Sequence, residues 1–479
     1  MLSEKLRKSN VSEKFVTVVF LTLLFFIIDR VLMLLVNIKM ESKIKETFIL
    51  FFSFLIIYFI ILLLIIIKDF DEKRNIKIYT IVILFLLSLI VKIYFAIKIN
   101  GFPTDVGCFI YWGDIASENI KKLYSGNVFI DYPPLYILLL GLLIKINLLQ
   151  DKILLIKLIP IICDLLLSIL FLFYYKNKSK LSNKEIVILV CIFYLYNPLV
   201  ILDSSLWGQC DSVLLLLIVL SHLLYEKKKY LFSIVVASLS IMIKPQAIFY
   251  AIILLGVLAL QAYLTKRYPL FLMQVVLFLI PFALVSILLK PGEDNLWLLK
   301  LYLRTINEYP YTSLNALNVY TILKMNWIPI NSIYKVVSSV VVSVFIIFTM
   351  ILYYKIENKK VDSSVLNQYM LFSVVMLYLI VFTFSIGMHE RYSYIPVLLM
   401  PFVLIPKQKF HLTIFSFFIL NNVFNTLAVL ILSQSNQFQL YISPVEQLIS
   451  LFNVILTIYL IRYWIFFCKI SSDMIVNLK

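Results

Sequence analysis

From end to end the chain is built of apolar runs of about 20 residues separated by short polar stretches. That length suits the roughly 30 Å hydrocarbon core that a helix crosses at about 1.5 Å per residue. The pattern predicts helices over 15–36, 47–67, 78–98, 153–175, 186–202, 211–225, 231–243, 247–264, 270–289, 331–354, 366–386, 394–406, 411–432 and 446–467. Two long mixed stretches, 99–152 and 290–330, interrupt the series. A membrane barrel would instead show alternating segments of about 10 residues. The expected fold is therefore all-α, a polytopic transmembrane helix bundle of about 14 crossings. Segments 231–243 and 394–406 are short for a full span. They either extend across their flanking prolines or end early where they line a cavity.

Composition narrows the class further. Hydrophobic residues make up 62% and charged residues 14% of the 479 residues. No hydrophilic block is long enough for an independent domain, which excludes a soluble protein, a disordered chain, a disulfide scaffold and a single-pass anchor. A net charge of +17 would suggest nucleic acid in a soluble protein, but here Lys and Arg fall in short loops and set orientation. The five cysteines show no CxxC spacing and mostly sit in or beside apolar runs, as small buried hydrophobes would. Basic Met1–Lys14 leads into an apolar run too long for a cleavable signal core.

Orientation turns on whether Pro133–Leu149 crosses the membrane. If it lies as a re-entrant or interfacial helix, loops 68–77, 176–185, 226–229, 265–269, 355–360 and 407–410 share one side with both termini. That side carries about 24 Lys and Arg against about 13 on the other, which makes it cytoplasmic. If the segment crossed, Lys227–Lys229 would lie outside, so charge favours the re-entrant reading. The expected divisions are 1–77 (extra N-terminal helices), 78–289 (a core with outer loop 99–152), 290–330 (a long outer loop) and 331–479 (C-terminal helices). Heavy use of Ile, Lys and Asn favours a prokaryotic cell membrane, with the ER membrane as the eukaryotic counterpart.

The unusual polar clusters then all fall on the outer face. They are Phe102 to Trp112 with Asp105, Asp131-Tyr-Pro-Pro-Leu135, Asn197-Pro198 with Trp207-Gly-Gln-Cys-Asp211, Lys244-Pro-Gln246 and His389-Glu-Arg-Tyr392. Each has a plain reading too: Asp131 and Asp211 as helix N-terminal acids, Trp207 as an interfacial anchor, and Lys244 snorkelling to headgroups. His389, Glu390 and Arg391 between two apolar helices are costly unless they meet water or a partner. Within the membrane, Asp29–Arg30 and Asp164 are packed contacts or functional groups. A cavity holding Asp105, Gln209, Asp211, Gln246, Lys244, Arg391 and His389 would suit a phosphorylated glycolipid donor and a hydroxyl acceptor. A carboxylate would take the acceptor proton and cations would stabilise the departing phosphate. Asp105, Asp114, Glu118 and Asp131 all remain open as the base.

In these motifs and their order, the sequence resembles the GT-C superfamily of membrane glycosyltransferases. Asp131-Tyr-Pro-Pro-Leu135 and His389-Glu-Arg391 are similar to the dolichyl-phosphate-glucose glucosyltransferases of N-glycan assembly. Trp207-Gly-Gln-Cys-Asp211 and Lys244-Pro-Gln246 are similar to prokaryotic proteins related to the second mannosyltransferase of GPI-anchor assembly. The resemblance covers about residues 78–406. It implies a base at Asp105, lipid-phosphate contacts from His389 and Arg391, and substrate contacts from Lys244, Gln246, Gln209, Asp211, Trp207 and Asp131. The expected function is an inverting transfer of mannose or glucose from a polyprenyl-phosphate donor to a glycolipid or cell-envelope glycan. The alternative is a transporter or flippase of such lipids. The loop has no Asp-x-Asp pair, so neither metal nor other cofactor is expected, and the partners are lipid-linked sugars, a glycan acceptor and membrane lipids.

Overall fold

The computed structural model describes residues 10–67, 76–179, 181–359, 361–404 and 409–473. Parts of the loops that carry the charge count (1–9, 68–75, 180, 360, 405–408 and 474–479) lie outside the described residues. The fold is an all-α bundle. Eleven helices are long and apolar enough to cross a membrane, and the chain is a multi-pass integral membrane protein.

The helices are α1 (Asn10–Asn37), α2 (Ser42–Ile67), α3 (Ile78–Lys98), α4 (Pro103–Asn119), α5 (Pro134–Ile146) and α6 (Lys152–Lys178). There follow α7 (Asn183–Trp207), α8 (Asp211–Glu226), α9 (Tyr230–Ile241), α10 (Ile248–Thr265), α11 (Tyr268–Leu288) and α12 (Trp297–Asn307). The last five are α13 (Ser332–Asn358), α14 (Ser363–Phe384), α15 (Tyr394–Val403), α16 (Lys409–Ser433) and α17 (Pro444–Asp473).

Three of the fourteen expected spans are present but short. Helices α8, α9 and α15 have 16, 12 and 10 residues, so they rise only about 24, 18 and 15 Å. All three stop at the same end of the bundle, at Asp211, Ile241 and Tyr394. Of the two readings open for 231–243 and 394–406, the helices end early beside a cavity.

The mixed stretch 99–152 forms two helices that start on prolines. Pro103 and Pro134 sit at first-turn positions, where a missing N–H costs nothing. Helix α5 has 13 residues, about 20 Å, too short to span. It packs lengthwise on α4 and is tied to the short helix α9 by the Leu135 amide, which donates to the Met242 carbonyl at 3.2 Å.

Helix α7 is not uniform. It contains two π-helical stretches, Cys191–Leu195 and Leu202–Trp207, on either side of Asn197-Pro198. Pro198 has no N–H to continue the ladder. Asn197 bridges the gap, its amide donating to the Phe193 carbonyl at 3.1 Å while its oxygen accepts from the Leu199 amide at 2.9 Å.

Helix α16 is wholly buried at the bundle centre, whereas α11 shows nearly its whole length to the surroundings. The interior charges are paired. The Lys92 ammonium donates to Asp164 at 2.6 Å, Ser212 donates to the other Asp164 oxygen, and Ser212 and Tyr394 share a 2.7 Å hydrogen bond. Asp164 is thus a packed contact. Of Asp29 and Arg30, Arg30 is a packed contact that meets Glu446 at 2.7 Å, and Asp29 is exposed.

Candidate functional site

The site begins with a crossing of chains. The Phe102 amide donates to the Trp207 carbonyl at 3.0 Å, and the two rings stack with centroids 4.4 Å apart. Gly101 makes this possible: its φ is +104°, and a Cβ there would lie 2.4 Å from the Trp207 carbonyl oxygen. Lys157 fixes the same junction from behind. Its buried ammonium donates to the carbonyls of Ile99 at 2.6 Å, Ser205 at 2.8 Å and Ala96 at 3.2 Å, where α3 and α7 end. Those carbonyls have no helical partner of their own, and a cation at a helix C-terminus is favourable.

On this junction a continuous polar cluster is assembled. Asp105 Oδ2 accepts from Trp207 Nε1 at 2.8 Å and Gln209 Nε2 at 2.6 Å, and lies 3.6 Å from Arg391 Nη2. Gln209 Oε1 accepts from Lys244 Nζ at 3.0 Å and from the Tyr132 hydroxyl at 3.1 Å. Lys244 also donates to Asp211 Oδ1 at 2.5 Å. Arg391 donates to the buried Glu390 at 2.9 Å and lies over the Trp207 ring, 5.5 Å from its centroid. Burial opposes the charge on Lys244, but Asp211 outweighs it and holds the ammonium above its ordinary pKa. His389 goes the other way: burial, with Arg391 and Lys244 nearby, keeps its imidazole neutral, well below its usual pKa.

In front of the cluster lies a chamber of about 1040 Å³. Asp105, Asp131, Asp211, Lys244, Gln246, His389 and Arg391 all line it. Seven of the nine residues singled out in the sequence therefore meet in one hollow. Trp207 and Gln209 do not line it. They are fully buried behind the wall, where they hold Asp105 and Lys244 in place. Of the rival carboxylates, Asp114 pairs with Lys152 at 2.7 Å on the surface and Glu118 faces Lys122 at 3.8 Å, both away from the chamber. Asp131 alone of the three reaches it.

Lys244 and Arg391 are both ion-paired. The low dielectric of the bundle makes an unpaired charge far costlier than a paired one.

Two contributors went unread in the sequence. Helix α12 packs Trp297, Leu298 and Leu301 inward, while its Arg304 and Thr305 donate to the carbonyls of Ile130 and Asp131 at 2.6 and 3.0 Å. Tyr309 follows it, its hydroxyl 3.4 Å from Asp131. The signal was there in the apolar spacing of Trp297, Leu298 and Leu301. The second is a short parallel pairing of Ser313–Leu314 with Met388–His389, which seats His389 on the chamber wall.

One flank of the chamber is apolar. Leu279 of α11 and Leu299, Leu303 and Ile306 of α12 line it and are also exposed on the outside of the bundle. The chamber therefore opens between α11, a candidate membrane span, and α12.

Fold and site together define a multi-pass helical membrane protein with a polar chamber at one end that opens laterally. The model of a family described as "GPI transamidase subunit PIG-U" matches residues 114–307, the stretch that supplies α5, Trp207 to Asp211, Lys244 and α12. No curated protein matches the chain. The family finding overturns the expected function. A transamidase exchanges amide bonds, and a subunit of one is not a hexosyltransferase using polyprenyl-phosphate sugars. The mannosyl- or glucosyltransferase reading falls, and with it the flippase alternative and the polyprenyl-phosphate donor. The convergence of the site residues is unaffected.

Proposed function

We propose that this chain is a glycolipid-holding subunit of a membrane transfer complex. It seats the phosphorylated sugar headgroup of a glycosylphosphatidylinositol-type lipid in the chamber and presents it to a partner subunit that performs the transfer. The family match over residues 114–307 supports the class of complex. The observation that carries the reading is the shape and chemistry of the chamber: a polar end at Asp105, Lys244 and Arg391, with an apolar flank open between α11 and α12. A lipid could leave its acyl chains in the bilayer along Phe278, Phe282 and Leu303 while its headgroup turns inward. Arg391 would meet the phosphate, since its Nε has no hydrogen-bond partner.

The test uses the full chain in lipid nanodiscs and a photo-crosslinkable glycosylphosphatidylinositol. Labelling is expected in α11, α12 or the 386–393 segment, and is expected to fall about tenfold or more with Arg391→Ala, as for loss of a buried charged contact. Labelling no greater than with a phosphatidylcholine probe of the same chain length would refute the reading.

A further inference from the structure

Helix α1 has two faces of different character. On the inner one, the Phe20 ring meets Phe417 of α16 edge-on, with centroids 5.1 Å apart, and Arg30 fastens to Glu446 of α17. The outer face carries Phe25, Phe26, Leu32, Met33 and Val36, all exposed, and Asp29 is exposed in their midst. Phe25, Asp29, Leu32 and Val36 recur every three or four residues, so they form a straight seam of the kind that one helix offers another.

Asp29 is out of place on that seam. It lies midway along the apolar span Val19–Asn37, about 12 Å or more from either end. Its side chain has no hydrogen-bond or ionic partner among the described residues, and the neighbouring Arg30 is already engaged. A carboxyl on a single methylene cannot snorkel to the headgroups as Lys and Arg do. An ionisable group at this depth is costly unless it meets water or a partner. Elsewhere the molecule avoids that cost. The least buried span, α11, has no Asp, Glu, Lys or Arg from Tyr268 to Leu288, and the mid-span carboxylates Asp164 and Asp203 are buried.

We infer that the outer face of α1 is the docking surface for one membrane-spanning helix of a partner protein, and that this helix carries a Lys or Arg that meets Asp29. Charge complementarity selects the occupant. A second copy of this chain, pairing through the same face, would set two Asp29 carboxylates against each other, which is repulsive. A lipid amine belongs at the headgroup level, about 12 Å or more from Asp29 along the helix. A cation on a partner helix reaches mid-span, where the low dielectric strengthens its attraction to the carboxylate. The exposed aromatic and aliphatic side chains on either side of Asp29 supply the close packing that holds helices together in lipid.

The experiment places the full chain in phosphatidylcholine vesicles with a photo-crosslinking residue in place of Phe25. Two synthetic single-span probes are added in turn: a polyleucine helix with one central Lys, and the same helix with Leu at that position. Capture of the Lys helix is expected to exceed capture of the Leu helix about fivefold or more, the size of one polar contact between helices in lipid. Asp29→Asn is expected to bring the two within about twofold. The same crosslinker in place of Val276, on the exposed face of α11, is expected to capture both alike. Equal or absent capture at position 25, or a Lys preference that survives Asp29→Asn or recurs at position 276, would overturn the inference. A preference abolished by adding phosphatidylethanolamine would assign the carboxylate to a lipid amine and overturn it too. The two probes on otherwise unaltered chain decide the matter alone should the variant not fold. No outcome bears on the chamber, so the glycolipid reading stands or falls separately.

Discussion

Two of the groups of buried charge in this bundle are built on opposite plans. In the interior, Lys92 and Asp164 meet at 2.6 Å, and Ser212 with Tyr394 completes the shell around the carboxylate. At the chamber, the cations are paired but acceptors on Asp131, Asp211 and Gln246 remain open. A closed network has nothing left to offer a ligand and serves to fix helices α3, α6, α8 and α15 against one another. An open one keeps a cost that only an incoming molecule can relieve. What distinguishes the chamber from the Lys92–Asp164 network is that its unpartnered acceptors belong to residues that line a cavity.

The largest effect should come from breaking the closed network. Lys92→Met leaves Asp164 buried without its cation, at a cost of about 3–5 kcal/mol. Adding Asp164→Leu should recover most of it, read as the thermal midpoint of the detergent-solubilised protein. A single variant as stable as the parent would put the two networks on the same footing. Gly101→Ala should be next, because it forces an L side chain to positive φ and into the Trp207 carbonyl. A loss of about 1–3 kcal/mol is expected, together with weaker lipid labelling, since Asp105 and Trp207 are positioned through that crossing.

The open network should instead respond to pH without a change of fold. Burial, with the charge on Asp105 nearby, pushes the Asp131 carboxyl up to about 6 in the folded protein. The thermal midpoint of the detergent-solubilised protein should therefore fall as pH rises to about 6, and Asp131→Asn should remove that part of the dependence. The raised value also means that ionising Asp131 costs folding stability as pH climbs from the ordinary carboxylate range to about 6. The smallest effect is expected at Asp114, whose pair with Lys152 is solvent-exposed. Asp114→Ala should change stability by about 1 kcal/mol or less and leave lipid binding unaltered; a larger loss of binding would move the site outward along α4.

Much of this was legible in the residues. Apolar run length located each span, and the odd polar motifs between spans marked the chamber, because such groups are expensive anywhere else in a membrane. Three things were not legible. The function suggested by the order of motifs was wrong, since a polar cavity for a phosphoglycolipid needs similar residues whether or not chemistry occurs in it. The pairing of Lys244 and Arg391 depends on three-dimensional neighbours that no spacing reveals. Lys157 lies in an apolar helix with no motif around it, and only the meeting of two helix ends around its ammonium gives it a role.

Helix α7 sets a rule for which alterations this end of the molecule can absorb. Each π-helical stretch closes its bonds over five residues instead of four, so it accommodates extra chain without lengthening the helix. Trp207, Gly208 and Gln209 therefore face as they do because of how many residues come before them, not which ones. Exchanging one aliphatic side chain for another between Cys191 and Leu206 would leave their heading unchanged. Removing a single residue from a π-helical stretch would let it relax to ordinary α pitch and absorb the loss, whereas removing one from the α-helical turn Pro198–Ile201 would swing everything downstream by about 100°, carrying the indole away from Asp105 and the amide away from Lys244. On this stretch the number of residues, more than their apolar identity, sets the heading of Trp207 and Gln209.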